Sequence, residues 1–261
     1  MELESFRLDI PEPGIAVVTF DRPPVNAQNR RSREELIWLL DEISERDDVS
    51  VVVLIGQGRV FSAGADIKER SGMTSGGADY LRHNRITREF FYAVNDCKKP
   101  IIGAINGAAI GAGYALLAGC DILIASDQAW IQMPELDRGL MGGAKFLEKH
   151  LPRAVARMLF FTSRKLDAAH MAQYGMVVDV VPGDQLLEAA LSLARDIARK
   201  HSPAVQKAKA AFNAAEDLPY RDGYRFEQTI TAELAGSAYT VESQRAFLEK
   251  RPADYSQAPR T

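Results

Sequence analysis

Three glycine-containing stretches of this 261-residue sequence combine the residue types that can do chemistry. They are Phe61–Glu69, Asn106–Ala115 and the pair Pro134-Glu135 with the glycines that follow it. Each comes after an apolar run that predicts a strand. Ligands of open α/β sheets bind at the carboxyl ends of the strands, so the three stretches are predicted to meet at one site.

Backbone amides are the first candidate groups at that site. Gly111 and Gly113 clear side chains from around the amide of Ala112, which lies near a predicted helix start. N–H groups there lack partners, and the helix dipole favours negative charge. With a second amide at Ala65, beside Gly64, this predicts an oxyanion hole for the enolate of a thioester. On spacing alone, close helix–strand packing explains the same glycines equally well.

Other kinds of site find less support in the sequence. The pair Gly111-x-Gly113 lacks the third glycine of a dinucleotide fingerprint, and the Lys-Ser/Thr pair of a phosphate loop is absent. Cys97 and Cys120 have no metal-ligand spacing, so no metal site is expected. The four histidines are interpreted as structural or surface residues, since none has a partner at triad or zinc spacing.

The overall composition restricts the partners and the compartment. The net charge of -3 comes from 32 basic and 35 acidic residues that are interspersed, which argues against a nucleic-acid partner. Two cysteines and an N-terminus without an apolar run favour the reducing cytoplasm. Residues 101–120 carry no charge and are long enough to span a membrane. Five glycines and Asn106 interrupt this run, so a buried strand, a turn and a helix are predicted there instead.

The elements that must position the site alternate between strands and helices, which predicts an α/β core. The predicted strands are Phe6–Ile10, Ile15–Phe20, Val49–Ile55, Ile101–Ile105, Asp121–Ala125, Ala129–Met133 and Val177–Val181. The predicted helices among them are Arg33–Arg46, Arg82–Asn95, one that ends at Leu117 and one that begins at Ala144. The remainder is predicted to be helical, with helices at Leu186–Lys200, Ala204–Ala215 and Tyr224–Tyr239. A boundary is therefore expected near residue 200.

The three stretches together resemble the crotonase superfamily of acyl-CoA enzymes, which includes enoyl-CoA hydratases and isomerases. The similarity runs from about Phe6 to Pro252. It implies a crotonase-like spiral core of ββα units, residues 1–200, that binds acyl-CoA and carries the active site. It implies that residues 201–261 form an α-helical trimerisation region, giving a homotrimer or a dimer of trimers. Coenzyme A is then part of the substrate, and no separate cofactor is expected.

The resemblance also implies roles for individual residues. It assigns the oxyanion amides to Ala65 and Ala112 and the acid/base to Glu135. The positions implied for substrate and coenzyme A are Arg22, Val25, Ala27, Ala63, Asp66, Ile67 and Lys68. The charges of Arg22 and Lys68 are interpreted either as phosphate contacts or as surface charges. Tyr114 and Asp137 are possible auxiliary groups, with packing and helix capping as the alternatives.

One departure from the family pattern bears on the reaction. Hydratases of this family usually carry two glutamates, and the first of these falls on Ala115, which cannot exchange a proton. A single carboxylate can move a proton between C2 and C4 of an enoyl thioester. Δ3,Δ2-enoyl-CoA isomerisation is therefore favoured, with 2-enoyl-CoA hydration close behind. The alternatives are a thioester hydrolase, a C–C lyase or a non-catalytic CoA-thioester binder, and the loop Gly72–Arg82 is expected to cover the acyl pocket.

Overall fold

The structure, a computed structural model, describes residues 1–71 and 77–255. Part of the expected pocket-covering loop, residues 72–76, lies outside the described residues. The strands are β1 (Phe6–Glu12), β2 (Gly14–Phe20), β3 (Val49–Gly56), β4 (Val60–Ser62), β5 (Ile101–Ile105), β6 (Ala108–Ile110), β7 (Ile122–Ser126), β8 (Trp130–Gln132), β9 (Leu166–Asp167) and β10 (Val180–Val181). The helices are α1 (Arg30–Glu45), α2 (Ile67–Arg70), α3 (Ala78–Asp96), α4 (Ala112–Leu117), α5 (Ala144–His150), α6 (Arg153–Thr162), α7 (Ala168–Gln173), α8 (Leu186–Ala198), α9 (Ser202–Ala215), α10 (Tyr220–Leu234) and α11 (Ala238–Leu248).

The strands form two sheets through which the chain winds as a spiral. The larger sheet has the order β1-β2-β3-β5-β7-β10, and all neighbours except β1 and β2 are parallel. The smaller sheet has the order β4-β6-β8-β9, with β4, β6 and β8 parallel. The successive pairs β3–β4, β5–β6 and β7–β8 each give one strand to each sheet. This confirms the expected α/β core of repeated ββα units.

Strand β3 shows why the larger sheet is buried on both faces. Side chains alternate across a strand. Val52 and Leu54 pack into the core cluster shared with α1, α3 and α4, whereas Val51 and Val53 pack into a second cluster against α8. A near-continuous run of β-branched residues suits a parallel strand covered by helices on both sides.

The smaller sheet was predicted only in part, because Ala129–Met133 was expected as a strand and contains β8, whereas β4, β6 and β9 were not expected. Residues 56–64 and the glycine-rich segment after Ile105 were expected to be loop and turn, but each contains a three-residue strand, β4 and β6. Runs of three residues are too short to show an apolar alternation. Their pairing is decided by main-chain hydrogen bonds between segments about fifty residues apart. The two strands matter here because they deliver the candidate site.

The C-terminal helices also differ from the prediction. The single helix expected at Tyr224–Tyr239 is divided between α10 and α11, because Gly236 adopts a left-handed φ of 77°. Ser237 then caps α11 by accepting a hydrogen bond from the Thr240 N–H at 3.2 Å. The gap between α8 and α9 lies near residue 200, and the division of function between 1–200 and 201–261 stays a prediction.

The uncharged run from 101 to 120 is divided among β5, β6 and α4. Across residues 1–71 and 77–255, the helices are either too short or too polar to cross a membrane. Cys97 and Cys120 are buried free thiols.

Candidate active site

A cavity of about 710 Å³ opens at the carboxyl ends of the parallel strands β4, β6 and β8. Its wall includes the segments at the ends of these strands: Ala63–Ala65 after β4, Ile110–Ala112 from the last residue of β6, and Met133–Glu135 after β8. The three stretches singled out in the sequence therefore meet at one place. The smaller sheet positions them, because its parallel strands all end at the same edge.

The first two segments approach each other more closely than side chains would allow. Gly64 has a φ of 87°, and a Cβ atom there would collide with the carbonyl oxygen of Ile110. The same Cβ would lie 3.3 Å from the amide nitrogen of Ala112. Only glycine permits this backbone approach. It brings the amides of Ala65 and Ala112 to neighbouring positions on the cavity wall.

Each of these two amides belongs to a peptide group whose carbonyl oxygen accepts a hydrogen bond, and that hydrogen bond orients the N–H. In a trans peptide the C=O and the following N–H point in opposite directions. The carbonyl of Gly64 accepts from the Gln28 N–H at 2.8 Å, and the carbonyl of Gly111 accepts from the Ala115 N–H at 3.0 Å. Within the described residues, neither the Ala65 nor the Ala112 N–H has an acceptor of its own. Both donors thus remain available to a ligand oxygen.

Gln28, which is not among the predicted site residues, forms hydrogen bonds with both segments that carry the oxyanion amides. Its side chain is fully buried, and its Nε2 donates to the carbonyl of Ala112 at 2.9 Å. Its main-chain carbonyl accepts from the buried guanidinium of Arg33 at 3.0 Å, and Arg33 also pairs with Glu69 at 3.2 Å. Nothing in the sequence signals this role, because Gln28 follows the Pro23-Pro24 loop, where no periodicity indicates burial.

Glu135 lies beside the Ala112 amide. Its Oε1 would be 2.7 Å from a Cβ on Gly111, the residue that shares a peptide group with the Ala112 N–H. Its Oε2 is buried and has no hydrogen-bond partner among the described residues. Burial raises the pKa of the Glu135 carboxyl, and the charge of Arg138 offsets this only in part. A carboxyl group in this state exchanges a proton at a pH closer to neutrality.

Among the residues that the structure describes, the neighbouring wall holds no second acid. Ala115 lines the cavity and is 2% exposed, so a methyl group stands where family hydratases carry a glutamate. Among the described residues that line the cavity, Glu135 is the sole carboxylate. Any proton transfer by a carboxylate in this cavity therefore falls to Glu135.

The other predicted substrate positions divide into two groups. Ala63 and Ile67 line the cavity, and Ile67 is 61% exposed. The cavity wall does not include the following predicted residues: Arg22, Val25, Ala27, Asp66 and Lys68. Arg22 pairs with Asp66 at 3.0 Å, so this arginine fastens the early loop to the start of α2. The side chain of Lys68 is exposed beside it.

The two auxiliary candidates point elsewhere. Tyr114 is fully buried, donates its hydroxyl hydrogen to the carbonyl of Phe146 at 3.1 Å and does not line the cavity. Burial raises the pKa of the Tyr114 hydroxyl far above its usual range, so this group stays protonated. Asp137 is exposed in the short 3-10 turn Leu136–Arg138. Packing, the alternative for Tyr114, matches the geometry, whereas Asp137 makes no capping hydrogen bond within the described residues.

Two of the four histidines, His150 and His83, lie in different environments. Burial lowers the pKa of His150 to about 4, and its Nδ1 lies 3.4 Å from the Tyr114 hydroxyl. His83, in contrast, lines the cavity together with its α3 neighbours Tyr80, Asn84 and Thr87. The sequence carried a signal for this face, because these four positions recur at the helical spacing i, i+3, i+4 and i+7.

In sequence and in fold, the chain is similar to known acyl-CoA enzymes. Residues 11–258 match the enoyl-CoA hydratase/isomerase family. A relative from Mycobacterium tuberculosis, a (7aS)-7a-methyl-1,5-dioxo-2,3,5,6,7,7a-hexahydro-1H-indene-carboxyl-CoA hydrolase, is 39% identical over 92% of this chain and 97% of its own. A probable enoyl-CoA hydratase from Rhizobium meliloti is 35% identical over 92% of this chain and 94% of its own. The crystal structure of enoyl-CoA hydratase from Bacillus anthracis superposes with a TM-score of 0.91 at 31% identity, covering 97% of this chain and 99% of that one.

Proposed function

The chain belongs to the enoyl-CoA hydratase/isomerase family, and from this premise we propose that it transforms an acyl-CoA thioester through an enolate, with Glu135 as the single acid/base. The observation that carries the proposal is the Glu135 carboxylate. It has a buried, unpartnered oxygen, a raised pKa and a position beside the unpaired amide of Ala112. A protein that only bound CoA thioesters would have no use for such a group.

The proposed reaction starts when the thioester carbonyl oxygen accepts hydrogen bonds from the N–H groups of Ala65 and Ala112. Glu135 removes a proton from C2 of a 3-enoyl group, and the electron pair moves onto the thioester oxygen as a dienolate. The two amides stabilise that negative charge. Glu135 returns the proton to C4, and the double bond ends between C2 and C3. One carboxylate completes this cycle without a second acid or a water molecule.

Hydrolysis is the second candidate, and the relative from Mycobacterium tuberculosis, named as a carboxyl-CoA hydrolase, favours it. In this reaction Glu135 accepts a proton from water while the oxygen of that water attacks the thioester carbonyl carbon. The C–S bond then breaks, the sulfur of CoA takes the proton from Glu135, and the acyl group is released as a carboxylic acid. The oxyanion hole holds the negative charge that develops. Hydration of a 2-enoyl group, the reaction named for the relative from Rhizobium meliloti, also requires a base for water. Ala115 leaves that water without a second carboxylate to orient it.

A comparison of substrates separates these reactions. With 3-hexenoyl-CoA, we expect the absorbance of the conjugated thioester to rise, and with crotonyl-CoA we expect only slow loss of that absorbance. Hydrolysis is followed on cyclic carboxyl-CoA thioesters by the release of the free thiol of CoA. The Glu135→Gln variant serves as the control for each signal. Fast hydration of crotonyl-CoA without double-bond migration would reject the isomerase assignment.

A trimer, or a dimer of trimers, remains part of the proposal. Large apolar side chains on α9, α10 and α11 are exposed, including Phe212 at 75%, Tyr220 at 92% and Phe247 at 82%. Large apolar side chains exposed on three helices suit contacts between copies of the chain. Light scattering should give three or six times the chain mass of 28.8 kDa. A monomer at micromolar concentration would contradict this prediction.

A cytoplasmic location also stays a proposal, supported by the two buried free thiols.

A further inference from the structure

We propose that the α3 wall of the cavity is a subsite for a ring ketone on the acyl group, with Asn84 as the donor to its oxygen. This inference rests on the proposed function, because it names the class of acyl group that the same cavity takes. It starts from the side chains that α3 turns toward the cavity: Tyr80, His83, Asn84 and Thr87.

Helix α3 separates its neutral polar side chains from its charged ones. The four residues that line the cavity are all half-buried and carry hydroxyl, imidazole or amide groups. The helix also carries charged side chains that are exposed and absent from the cavity wall, namely Arg82, Arg85, Arg88 and Glu89. A helix face that merely met solvent would have no reason to exclude these charges. The segregation indicates a wall that hydrogen-bonds a neutral group.

The distance along α3 between Asn84 and Phe91 indicates the size of the acyl group. Phe91 follows on the same helix face and packs edge-on against Phe146, with 5.2 Å between the ring centroids, and both rings line the cavity. At 1.5 Å per residue, Thr87 lies about 6 Å and Asn84 about 10 Å along the helix from Phe91. If one end of an acyl group lies against the two phenylalanine rings, the atoms that contact Asn84 therefore lie at least one ring diameter from that end.

The chemistry of the wall favours an acceptor oxygen. Thr87 already donates its hydroxyl hydrogen to the carbonyl of His83 at 2.8 Å. Asn84 lines the cavity, and its side-chain amide makes no hydrogen bond within the described residues, so its N–H donors are open to a ligand. A hydrocarbon group would cover these donors and leave them unpaired, which is costly. A ketone oxygen accepts from them without bringing a charge that must be desolvated.

A carboxylate is the competing ligand chemistry. Among the described residues, two arginines line the cavity, Arg33 and Arg138. Arg33 is 1% exposed and is engaged by Glu69 and the carbonyl of Gln28. Arg138 is exposed on the turn after Glu135, on a different element from Asn84. A carboxylate would therefore depend on Arg138 and not on Asn84, which makes the two chemistries separable.

The test measures dissociation constants by calorimetry for cyclohexanecarboxyl-CoA, its ring-ketone analogue and its ring-carboxylate analogue. The wild-type protein should bind the ketone about 3- to 10-fold more tightly than the plain ring, the effect of one neutral hydrogen bond. Asn84→Leu, which removes the donors, should abolish this preference. Asn84→Asp, which keeps the size and replaces the donors by a charged acceptor, should abolish it as well. Arg85→Gln, an exposed change on the same helix, should retain it.

Equal binding of the plain ring and the ketone by the wild-type protein would overturn the subsite, as would a preference that survives both Asn84 variants. Tightest binding of the carboxylate, lost in Arg138→Gln, would overturn it in favour of an acidic acyl group. In these cases acyl-CoA binding itself is retained and the proposed function stands. If the wild-type protein binds none of the three thioesters but still acts on 3-hexenoyl-CoA or crotonyl-CoA, the subsite fails and the proposed function stands. If it neither binds the ring thioesters nor acts on any acyl-CoA, both fail.

Discussion

Replacing Glu135 with glutamine is expected to lower turnover by about 10²- to 10⁴-fold, the usual value of general acid–base catalysis. The amide has nearly the same shape as the carboxylate, so the cavity and the oxyanion amides should keep their geometry. Binding of a saturated acyl-CoA should therefore change little. Steady-state kinetics on the best thioester substrate, together with calorimetry on a saturated analogue, measure the two quantities separately.

The pH dependence of the wild-type protein tests the same group. Glu135 acts as a base only when it is ionised, so kcat/KM should increase as the pH rises through its pKa. Because burial raises that pKa, the midpoint should lie above the value of about 4.3 for an unperturbed glutamate. The same shift means that the folded protein binds the proton more tightly than the unfolded chain, so ionisation lowers stability as the pH rises through this window. Glu135→Gln should thus melt at an equal or higher temperature at neutral pH.

Asp137→Asn provides the matched control, because this carboxylate lies two residues away, is exposed and does not line the cavity. It should leave turnover, its pH profile and the melting temperature unchanged. Near-normal turnover of Glu135→Gln on every thioester that the wild-type protein accepts would show that the single-base mechanism is wrong. Loss of activity in Asp137→Asn alone would move the proton carrier to that residue.

Replacing Ala112 with proline is expected to remove one of the two oxyanion donors. In other enzymes the loss of one such donor costs about 3 kcal/mol of transition-state stabilisation, or roughly two orders of magnitude in turnover. Ala112 is the first residue of α4, where proline is well tolerated because no intrahelical hydrogen bond needs its N–H. The fold should therefore survive the substitution, which circular dichroism can verify.

Ala112→Gly is the matched control, since it changes the same side chain and keeps the N–H. Its turnover should stay within a few-fold of the wild-type value, while Ala112→Pro loses kcat far more than affinity for a saturated acyl-CoA. A folded Ala112→Pro variant with unchanged turnover would reject the placement of the oxyanion hole. Equal losses in both variants would assign the effect to the side chain and not to the amide.

The sequence by itself determined the α/β class and the buried strands of the larger sheet. The β-branched run at Val49–Ile55 and the uncharged run at Ile101–Ile105 are local signals, and each became a strand covered on both faces. The resemblance to acyl-CoA enzymes rested on short motifs whose order and spacing can be read directly from the sequence. Glu135 and the amides of Ala65 and Ala112 could therefore be identified as candidates before the fold was known.

Only the tertiary structure decided how these candidates lie together. The close approach of Gly64 to Ala112 depends on pairing between β4 and β6, strands too short to be signalled locally. The bracing by Gln28 joins residues 84 positions apart, and the unpartnered oxygen of Glu135 depends on everything packed around it. Hydrogen bonding and desolvation are properties of a three-dimensional neighbourhood. Local sequence patterns report backbone preference and burial, so the state of the carboxylate and the orientation of the amides became known only from the folded chain.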